Sequence, residues 1–247
     1  MTSLRMRSGA IAVGVLALVA AAGLAGCSVN VSTNSTNSNA PAPSKHFINS
    51  PDNAKAPSLA AHYVDFSFDY PGNWTPDPAN GTPTASNFVK FERDDPSGVT
   101  LENFAVGSFS GTGDASADAA QLPQLLASFE SQVNTMPGYK RLTIGEATTV
   151  NGLAGTQLTF SATPQLGGKT GNLFGRIILI PGPAGTTNGV TLIMLGSDAS
   201  GEISSIADLG VKGQLPIILN SFKYGTPAAA PDANSAPAAS NAPADQN

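Results

Sequence analysis

The residue with the clearest chemical potential is Cys27, the only cysteine among the 247 residues. A thiolate is a strong nucleophile, so a cysteine at the end of an export signal can accept a covalently attached lipid. The small residues Ala25 and Gly26 leave the backbone open to a peptidase, and Leu24 keeps the site at the membrane surface. We therefore predict that Cys27 is a lipid attachment site. Because no second cysteine exists, an internal disulfide is excluded.

The segment before Cys27 has the parts of an export signal. Arg5 and Arg7 form a basic start, and an apolar run over 11–22 follows them. The alternative is an uncleaved transmembrane helix over 9–26, which is nearly long enough to span a bilayer. No charged stop-transfer cluster follows, which favours a cleaved signal peptide over 1–26. Acyl chains on Cys27 would then hold the protein at a membrane, since each buried methylene contributes about 0.8 kcal/mol.

Groups for acid–base or nucleophilic catalysis are scarce. The chain has two histidines, His46 and His62, and both lie at or before the start of the expected folded region. A serine or cysteine nucleophile needs a base beside it, and zinc sites draw mainly on His and Cys. The segment 107–111 misses the nucleophile elbow because Phe109 takes the position of the serine. The sequence therefore predicts no catalytic residue, no cofactor and no enzyme activity.

A few other residues could bind a ligand, and each has a simpler structural interpretation. Glu92, Asp94 and Asp95 could hold a calcium ion through their oxygens, or they could form the solvated tip of a hairpin. Trp74, the only tryptophan, could stack on a ligand, but such a ring more often closes the end of a core. We expect the same structural role for Arg176.

Nucleic acids and nucleotides are poor candidates for ligands. The formal net charge is −5, and Lys and Arg are not clustered. Binding to a phosphate backbone requires such clusters, so we predict no nucleic-acid partner. The segment 168–170 (GKT) has the end of a phosphate-binding loop, but Thr163 stands where the first glycine belongs. A hairpin turn is the favoured interpretation of this segment.

Composition divides the chain into four parts, the first being the signal peptide over 1–26. Residues 27–58 are rich in Ser, Thr, Asn, Ala and Pro, which predicts a disordered tether that begins at the lipidated cysteine. Residues 59–224 hold the regular apolar patterns and have the size of one domain. Residues 225–247 are rich in Ala and Pro, and we predict a disordered tail there.

The apolar patterns of the domain predict a sheet of antiparallel strands. Seven strands are expected, at 63–70, 88–93, 99–109, 139–150, 153–161, 173–180 and 190–195. The last two are apolar on both faces, which is typical of central strands. A two-residue loop at 151–152 would place Leu142 and Ile144 on the wrong face of their hairpin. We therefore predict a β-bulge at Gly145 or Gly155.

Two helical segments separate and follow these strands. Apolar residues share one stripe over 119–133, where Pro123 should lie in or near the first turn, with 114–118 as a lead-in. The segment 201–222 is interrupted by two glycines and by Pro216, which predicts two short helices or one kinked helix. The order of elements predicts an α+β fold, an antiparallel β-sheet flanked by two helices in an α-β-α sandwich.

Three short motifs resemble known families. The segment 66–74 (FSFDYPGNW) is similar to the opening strand and turn of the PsbP/Mog1-like fold, and 219–222 (LNSF) resembles the end of its last helix. The segment 24–27 (LAGC) resembles the lipobox of bacterial lipoproteins, in which diacylglycerol is attached to the cysteine. With the tether, these features are similar to LpqN/LpqT-type lipoproteins of actinobacteria. The resemblance implies a non-enzymatic binding or accessory role outside the cytoplasm.

These observations lead to three hypotheses of different classes. The favoured one is a lipoprotein anchored to the cell membrane or envelope, whose extracytoplasmic domain binds a protein or another envelope component. The second is a carrier of a lipid or small apolar ligand, which would need an elongated apolar cavity between sheet and helix. The third is a hydrolase of envelope substrates, for which the sequence offers no recognisable site.

Overall fold

The computed structural model describes residues 42–225. Cys27, the rest of the lipobox, the predicted signal peptide and the predicted tail beyond Gly225 lie outside the described residues. Among the residues that are described, no helix has both the length and the apolar character needed to cross a bilayer.

Within these residues the chain forms twelve strands and three α-helices. The strands are β1 Ser44–Ile48, β2 Phe66–Pro71, β3 Thr75–Pro76, β4 Val89–Asp94, β5 Thr100–Ser110, β6 Lys140–Val150, β7 Leu153–Ala162, β8 Gln165–Leu166, β9 Lys169–Thr170, β10 Leu173–Ile180, β11 Asn188–Ser197 and β12 Lys223–Tyr224. The helices are α1 Pro57–Ala61, α2 Ala115–Val133 and α3 Leu215–Ser221, with 3₁₀ turns at Pro51–Asn53 and Asp198–Ser200.

The strands form two antiparallel sheets and one short hairpin. The main sheet has the order β3-β4-β5-β11-β10-β7-β6, the small sheet has the order β1-β2-β12, and β8 pairs with β9. Helix α2 packs on one face of the main sheet, which we call the α2 face. The small sheet and α3 lie against the other, which we call the small-sheet face. The predicted α+β fold with an antiparallel sheet between helices is confirmed, and β10 and β11 are central strands as predicted.

Each face of the main sheet has its own hydrophobic core. The larger core lies on the small-sheet face and contains the fully buried rings of Phe66, Phe68, Phe88, Phe104 and Phe222. The smaller core lies under α2 and contains Leu122, Leu125, Leu126, Leu158, Phe160 and Ile177. Each large side chain buried in this way stabilises the fold by about 1.5–3 kcal/mol, so the two cores together fix both layers on the sheet.

The folded region begins earlier than the sequence predicts. Strand β1 pairs with β2 from Ser44 opposite Pro71 to Ile48 opposite Ser67. The ring of Phe47 stacks on Phe68 with 5.1 Å between centroids. The prediction that the disordered tether reaches residue 58 is therefore wrong for 44–58. The ring of Phe47 packs this strand on the core. The polar composition of the segment, on which the prediction was based, does not reveal a contact made by a single residue.

Helix α2 also begins earlier than predicted. The Asp114 carboxylate accepts a hydrogen bond of 2.8 Å from the N–H of Ala117, which caps the helix start at Ala115. Pro123 is therefore inside the helix, and the prediction that it lies in or near the first turn is wrong. Proline removes one backbone hydrogen bond there, and the N-terminal cap together with the core contacts of Leu122 and Leu126 outweighs this loss.

The hairpin of β6 and β7 contains the predicted bulge. Val150 pairs with Leu153 across the two-residue turn, and the register shifts between Ile144 and Glu146. Gly145 lies at the shift with φ +78°, a conformation that favours glycine, so the predicted bulge is confirmed at this residue. A second shift between Arg141 and Thr143 was not predicted, and it leaves Leu142 46% exposed.

Only one α-helix forms in the segment 201–222. Helix α3 begins with Pro216 in its first turn, and turns occupy the residues before it. Gly210 and Gly213 have φ +82° and +73°, which a right-handed helix cannot include. The prediction of two helices or one kinked helix is therefore wrong before α3, although Leu209 is buried there as a core residue.

Candidate binding site on the main sheet

Trp74 closes the end of the larger core. Its side chain is only 3% exposed, and its indole N–H donates a hydrogen bond of 2.8 Å to Gln214 Oε1. The ring is therefore packed and satisfied within the chain, which is the structural role expected from its type. It does not present a stacking surface for a ligand.

The three predicted calcium candidates are not brought together around one point. Glu92 lies 2.8 Å from Lys90 Nζ, and Asp94 is exposed at the end of β4. Asp95 Oδ1 accepts a hydrogen bond of 2.9 Å from the N–H of Val99, which closes the tip of the β4–β5 hairpin. Over residues 42–225 no group of three His, Cys, Asp or Glu side chains is arranged to hold a metal ion. These carboxylates serve the β4–β5 hairpin.

The segment 168–170 is part of a hairpin, as predicted from Thr163 at the position of the first glycine of a phosphate-binding loop. Gly167 and Gly168 form the turn between β8 and β9 with φ +56° and +79°. Lys169 is exposed, and strands rather than a helix follow it. A phosphate-binding loop needs a helix at that point, so the hairpin interpretation is confirmed.

A serine and a histidine meet near the end of β5, which the sequence did not predict. Ser110 Oγ lies 2.8 Å from His62 Nδ1, and Asn188 Oδ1 lies 3.4 Å from the same ring nitrogen. A serine hydrolase holds the serine at one imidazole nitrogen and a carboxylate at the other. Here both partners approach Nδ1, and the second is an amide. The contact therefore has the geometry of a hydrogen-bond cluster that joins the α1 region to the sheet.

The most deeply buried charges of the small-sheet face lie at one end of the main sheet. Arg93 on β4 is 4% exposed and Glu102 on β5 is fully buried, and their side chains are 2.8 Å apart. Arg93 also lies 2.7 Å from Glu202. Glu102 accepts hydrogen bonds of 3.1 and 3.3 Å from the N–H groups of Gln214 and Leu215. These contacts hold the start of α3 on the sheet.

Side chains on the small-sheet face form rows across the main sheet, and the rows change from apolar to polar near β10. One row runs Phe91, Phe104, Met194, Arg176, Thr159, Thr143. The next runs Val89, Val106, Leu192, Ile178, Gln157, Glu146. The apolar members belong to the larger core. We call Arg176, Gln157, Thr159, Thr143 and Glu146 the polar half of this face.

Arg176 is the only partly buried Lys or Arg of residues 42–225 that has no carboxylate within 4 Å of its charged group. Its Nε–H is buried and has no hydrogen-bond acceptor, which is also true of Arg93 Nε. The other described cations without such a carboxylate are exposed lysines: Lys45, Lys55, Lys140, Lys169 and Lys223. Burial lowers the pKa of Arg176, and the charge of Glu146 opposes this shift. A half-buried cation without a partner costs free energy.

A second unpartnered group lies beside Arg176. Gln157 Nε2 donates a hydrogen bond of 3.0 Å to Glu146 Oε2, but Gln157 Oε1 is buried and has no donor. The hydroxyls of Thr143 and Thr159 share a hydrogen bond of 2.8 Å in the next row. The polar half therefore offers one free donor and one free acceptor on neighbouring strands. Buried polar groups usually have partners, so this pair makes the polar half the candidate site. Five other buried polar atoms of the described residues, Arg93 Nε among them, also have no partner.

The turns before α3 approach the polar half. A Cβ atom on Gly210 would lie 3.7 Å from Arg176 Nη1, so this backbone forms a wall beside the guanidinium. The next residue, Val211, is 70% exposed, which is unusual for a large apolar side chain in this domain. The candidate site thus lies where the sheet, these turns and solvent meet.

Sequence patterns predicted a structural role for Arg176 and no role for the polar half. One available signal was the single charge inside the apolar run over 173–180. Another was the alternation in β7, where Gln157 and Thr159 alternate with Leu158 and Phe160. Alternation alone does not tell whether a polar face meets solvent, a partner or another strand, so the site required the sheet register.

Leu24, Ala25, Gly26 and Cys27 lie outside the described residues. Lipid attachment at Cys27 therefore stays a prediction from the sequence.

The solved structures that are similar to this chain include LpqN and Mog1p. LpqN, involved in cell envelope biogenesis of Mycobacterium tuberculosis, has a TM-score of 0.44 and 14% identity, over 74% of this chain and 92% of that chain. The Ran-binding protein Mog1p of Saccharomyces cerevisiae has a TM-score of 0.39 and 11% identity, over 74% and 95%. No family model and no curated protein matches the chain. Both neighbours have the PsbP/Mog1-like fold that the motifs at 66–74 and 219–222 resemble.

Proposed function

We propose that this protein is a lipoprotein of the cell envelope whose domain binds a partner through the polar half of its main sheet. The observation that supports the binding role is the half-buried guanidinium of Arg176, which has no carboxylate within 4 Å, together with the unpartnered Gln157 Oε1. Folded proteins rarely leave such groups without compensation. A ligand that completes both would explain why they persist.

The proposed location rests on the N-terminal sequence. Arg5 and Arg7, the apolar run over 11–22 and the LAGC segment that ends at Cys27 are the parts of a lipoprotein export signal. Acylation of Cys27 would attach the domain to the outer face of a membrane. In this proposal the membrane is reached through the covalent lipid, and the domain meets its partner, a protein or another envelope component, outside the cytoplasm.

We propose a binding role without catalysis in preference to the two other hypotheses. A carrier would need room for an apolar ligand, and the larger core is occupied by aromatic rings such as Phe68 and Phe104, 5.3 Å apart between centroids. A hydrolase would need a carboxylate on the second nitrogen of His62, whereas Ser110 and Asn188 both approach the first. Titration with a fluorescent fatty acid and assays with ester and glycoside substrates test these two alternatives.

The experiment for the proposed function is capture of partners from crosslinked membranes, combined with detergent phase partitioning. Wild-type protein should enter the detergent phase and recover a specific partner. The Cys27→Ser variant should stay in the aqueous phase, and Arg176→Met should enter the detergent phase but lose the partner. Lys169→Met, which removes an exposed cation from the β8–β9 hairpin, is the matched control and should behave as wild type.

Two results would contradict the proposal. An unmodified, wholly aqueous wild-type product would remove the membrane location. Equal recovery of every partner by wild type and Arg176→Met would remove the polar half as the binding surface.

A further inference from the structure

We infer that the polar half of the main sheet binds an anion that carries a hydroxyl group beside its charge, the chemistry shared by hydroxycarboxylates and by phosphate esters of polyols. This inference rests on the proposed binding role and adds the chemical class of the ligand. It follows from one unpaired cation, one unpaired acceptor and their fixed positions on neighbouring strands.

The charge of the ligand follows from the arginines. Arg93 is paired with Glu102 and Glu202, and Arg141 is paired with Glu130 at 3.0 Å. Arg176, the third arginine of the described residues, has no acid within 4 Å. A guanidinium presents a planar fork of donors that matches a carboxylate or a phosphate. Partial burial strengthens such a pair, because less water screens the charges.

The hydroxyl group of the ligand follows from Gln157. Its Nε2 donates to Glu146, and this bond fixes the amide with Oε1 as the end that has no partner. The side chain is 9% exposed, so water has little access to it. A fully ionised carboxylate or phosphate has no proton to donate to this oxygen. A hydroxyl next to the charge does. In this inference it donates to Gln157 Oε1 while the charge contacts Arg176, which lies in the adjacent row.

Glu146 sets the strength of the site. Its carboxylate is exposed, binds Gln157 and acts electrostatically on Arg176 without forming an ion pair. The same negative charge opposes an incoming anion. Replacing Glu146 by Gln removes the charge and keeps an acceptor for Gln157 Nε2. The Glu146→Gln variant should therefore bind the anion more tightly than wild type, an outcome that a structural role of Arg176 alone would not produce.

The test measures binding of matched probes to the whole chain in detergent micelles by isothermal titration calorimetry and ligand-observed NMR. The probe pairs are glycolate with acetate, and glycerol 1-phosphate with propyl phosphate. Within at least one pair the hydroxylated member should bind about tenfold more tightly, the effect of one hydrogen bond to a buried acceptor. The pair that binds more tightly tells whether the source of the charge is a carboxylate or a phosphate.

The variants assign the effect to residues. Arg176→Met should abolish binding of every probe, and Arg176→Lys should weaken it because the fork is lost while the charge remains. Gln157→Leu should remove the preference for the hydroxylated member, and Glu146→Gln should increase affinity several-fold. Lys169→Met should leave every affinity unchanged. If Arg176→Met fails to fold, Arg176→Lys and Gln157→Leu decide the result.

The inference is overturned if wild type binds no probe at millimolar concentration, or if Arg176→Lys and Arg176→Met bind as tightly as wild type. Equal affinity for both members of each pair overturns the hydroxyl requirement. Partner capture that depends on Arg176, with no probe bound, would reject this ligand class and leave the proposed function standing. If neither partner capture nor probe binding depends on Arg176, the ligand class and the proposed function are both rejected.

Discussion

Arg93 and Arg176 lie on the same face of the same sheet, yet their surroundings are opposite. Arg93 is nearly fully buried and meets two carboxylates, Glu102 and Glu202. Arg176 is half-buried and meets none. Burial and charge are therefore poor guides to the role of an arginine. The residues that the neighbouring strands place beside it decide whether its charge is paired within the chain.

Sheet register creates this difference. Arg93 stands directly opposite Glu102 in the pairing of β4 with β5. The cross-strand neighbours of Arg176 are Met194 on β11 and Thr159 on β7, and neither carries a charge. The first pair also receives the start of α3, so one end of the sheet is closed by ionic contacts. The border of the polar half has no equivalent contact.

Breaking the ionic contacts of Arg93 should have the largest effect. Glu102→Ala removes the fully buried acid partner of Arg93, leaves Glu202 as its one remaining acid, and frees the N–H groups at the start of α3. We therefore expect a loss of about 3–5 kcal/mol in the free energy of unfolding. Arg176→Met removes a cation that has no acid, and we expect a change within about 1 kcal/mol. Urea denaturation of both variants checks the comparison. Equal losses would show that the two arginines have the same role.

A pair of glycine variants measures how closely the same region is packed. Gly213 and Gly98 both have positive φ, +73° and +82°. A Cβ on Gly213 would meet the carboxylate of Glu102, whereas one on Gly98 would have no atom within 4 Å. Gly98→Ala should cost about 1 kcal/mol for the left-handed backbone alone. Gly213→Ala should cost about 1–3 kcal/mol more, because Glu102 must move.

Thermal or urea unfolding of the two glycine variants gives the difference directly. If both variants lose the same free energy of unfolding, Glu102 can move away from a Cβ atom at position 213 at no cost, and the region is packed less closely than the structure indicates.

The pH dependence of stability gives the smallest and most specific signal. Burial raises the pKa of Glu102 above its usual value, although Arg93 and the N–H groups of α3 oppose the shift. The folded protein therefore binds this proton at a higher pH than the unfolded chain. Stability from this group is fully present below the unfolded pKa and falls as pH rises through the interval up to the folded pKa.

The measurement compares wild type with Glu102→Gln by urea unfolding from about pH 4 to about pH 7. The advantage of wild type over the variant should decrease as pH rises. Arg176→Met should retain the pH dependence of wild type. A constant difference between wild type and Glu102→Gln would contradict the raised pKa.

The sequence predicted well wherever one local rule was sufficient. The Asn151-Gly152 turn and the left-handed Gly145 follow from short-range backbone preferences, and both occur where expected. It failed where another contact overrides the rule that was applied. Pro123 was expected in or near the first turn of its helix, but Asp114 caps that helix eight residues earlier, at Ala115. Phe47 was assigned to a tether, but its ring packs on Phe68.

The candidate site shows the same limit more clearly. Arg176, Gln157 and Glu146 are separated by up to thirty residues, and no spacing along the chain relates them. Their proximity requires β10, β7 and β6 to be neighbours in one particular register, with the bulge at Gly145 returning Glu146 to the row of Gln157. A shift of one residue would place these side chains on the α2 face.

The sequence by itself determined the predicted cellular location and the class of the fold. The predicted export signal and the predicted attachment cysteine are patterns of a linear peptide, and strand or helix periodicity depends on neighbours a few residues away. Tertiary structure alone decided that Arg93 has carboxylate partners within 4 Å and that the half-buried Arg176 has none. That choice depends on contacts between strands distant in sequence, and the free energy of a buried charge is set by the groups within a few ångströms of it.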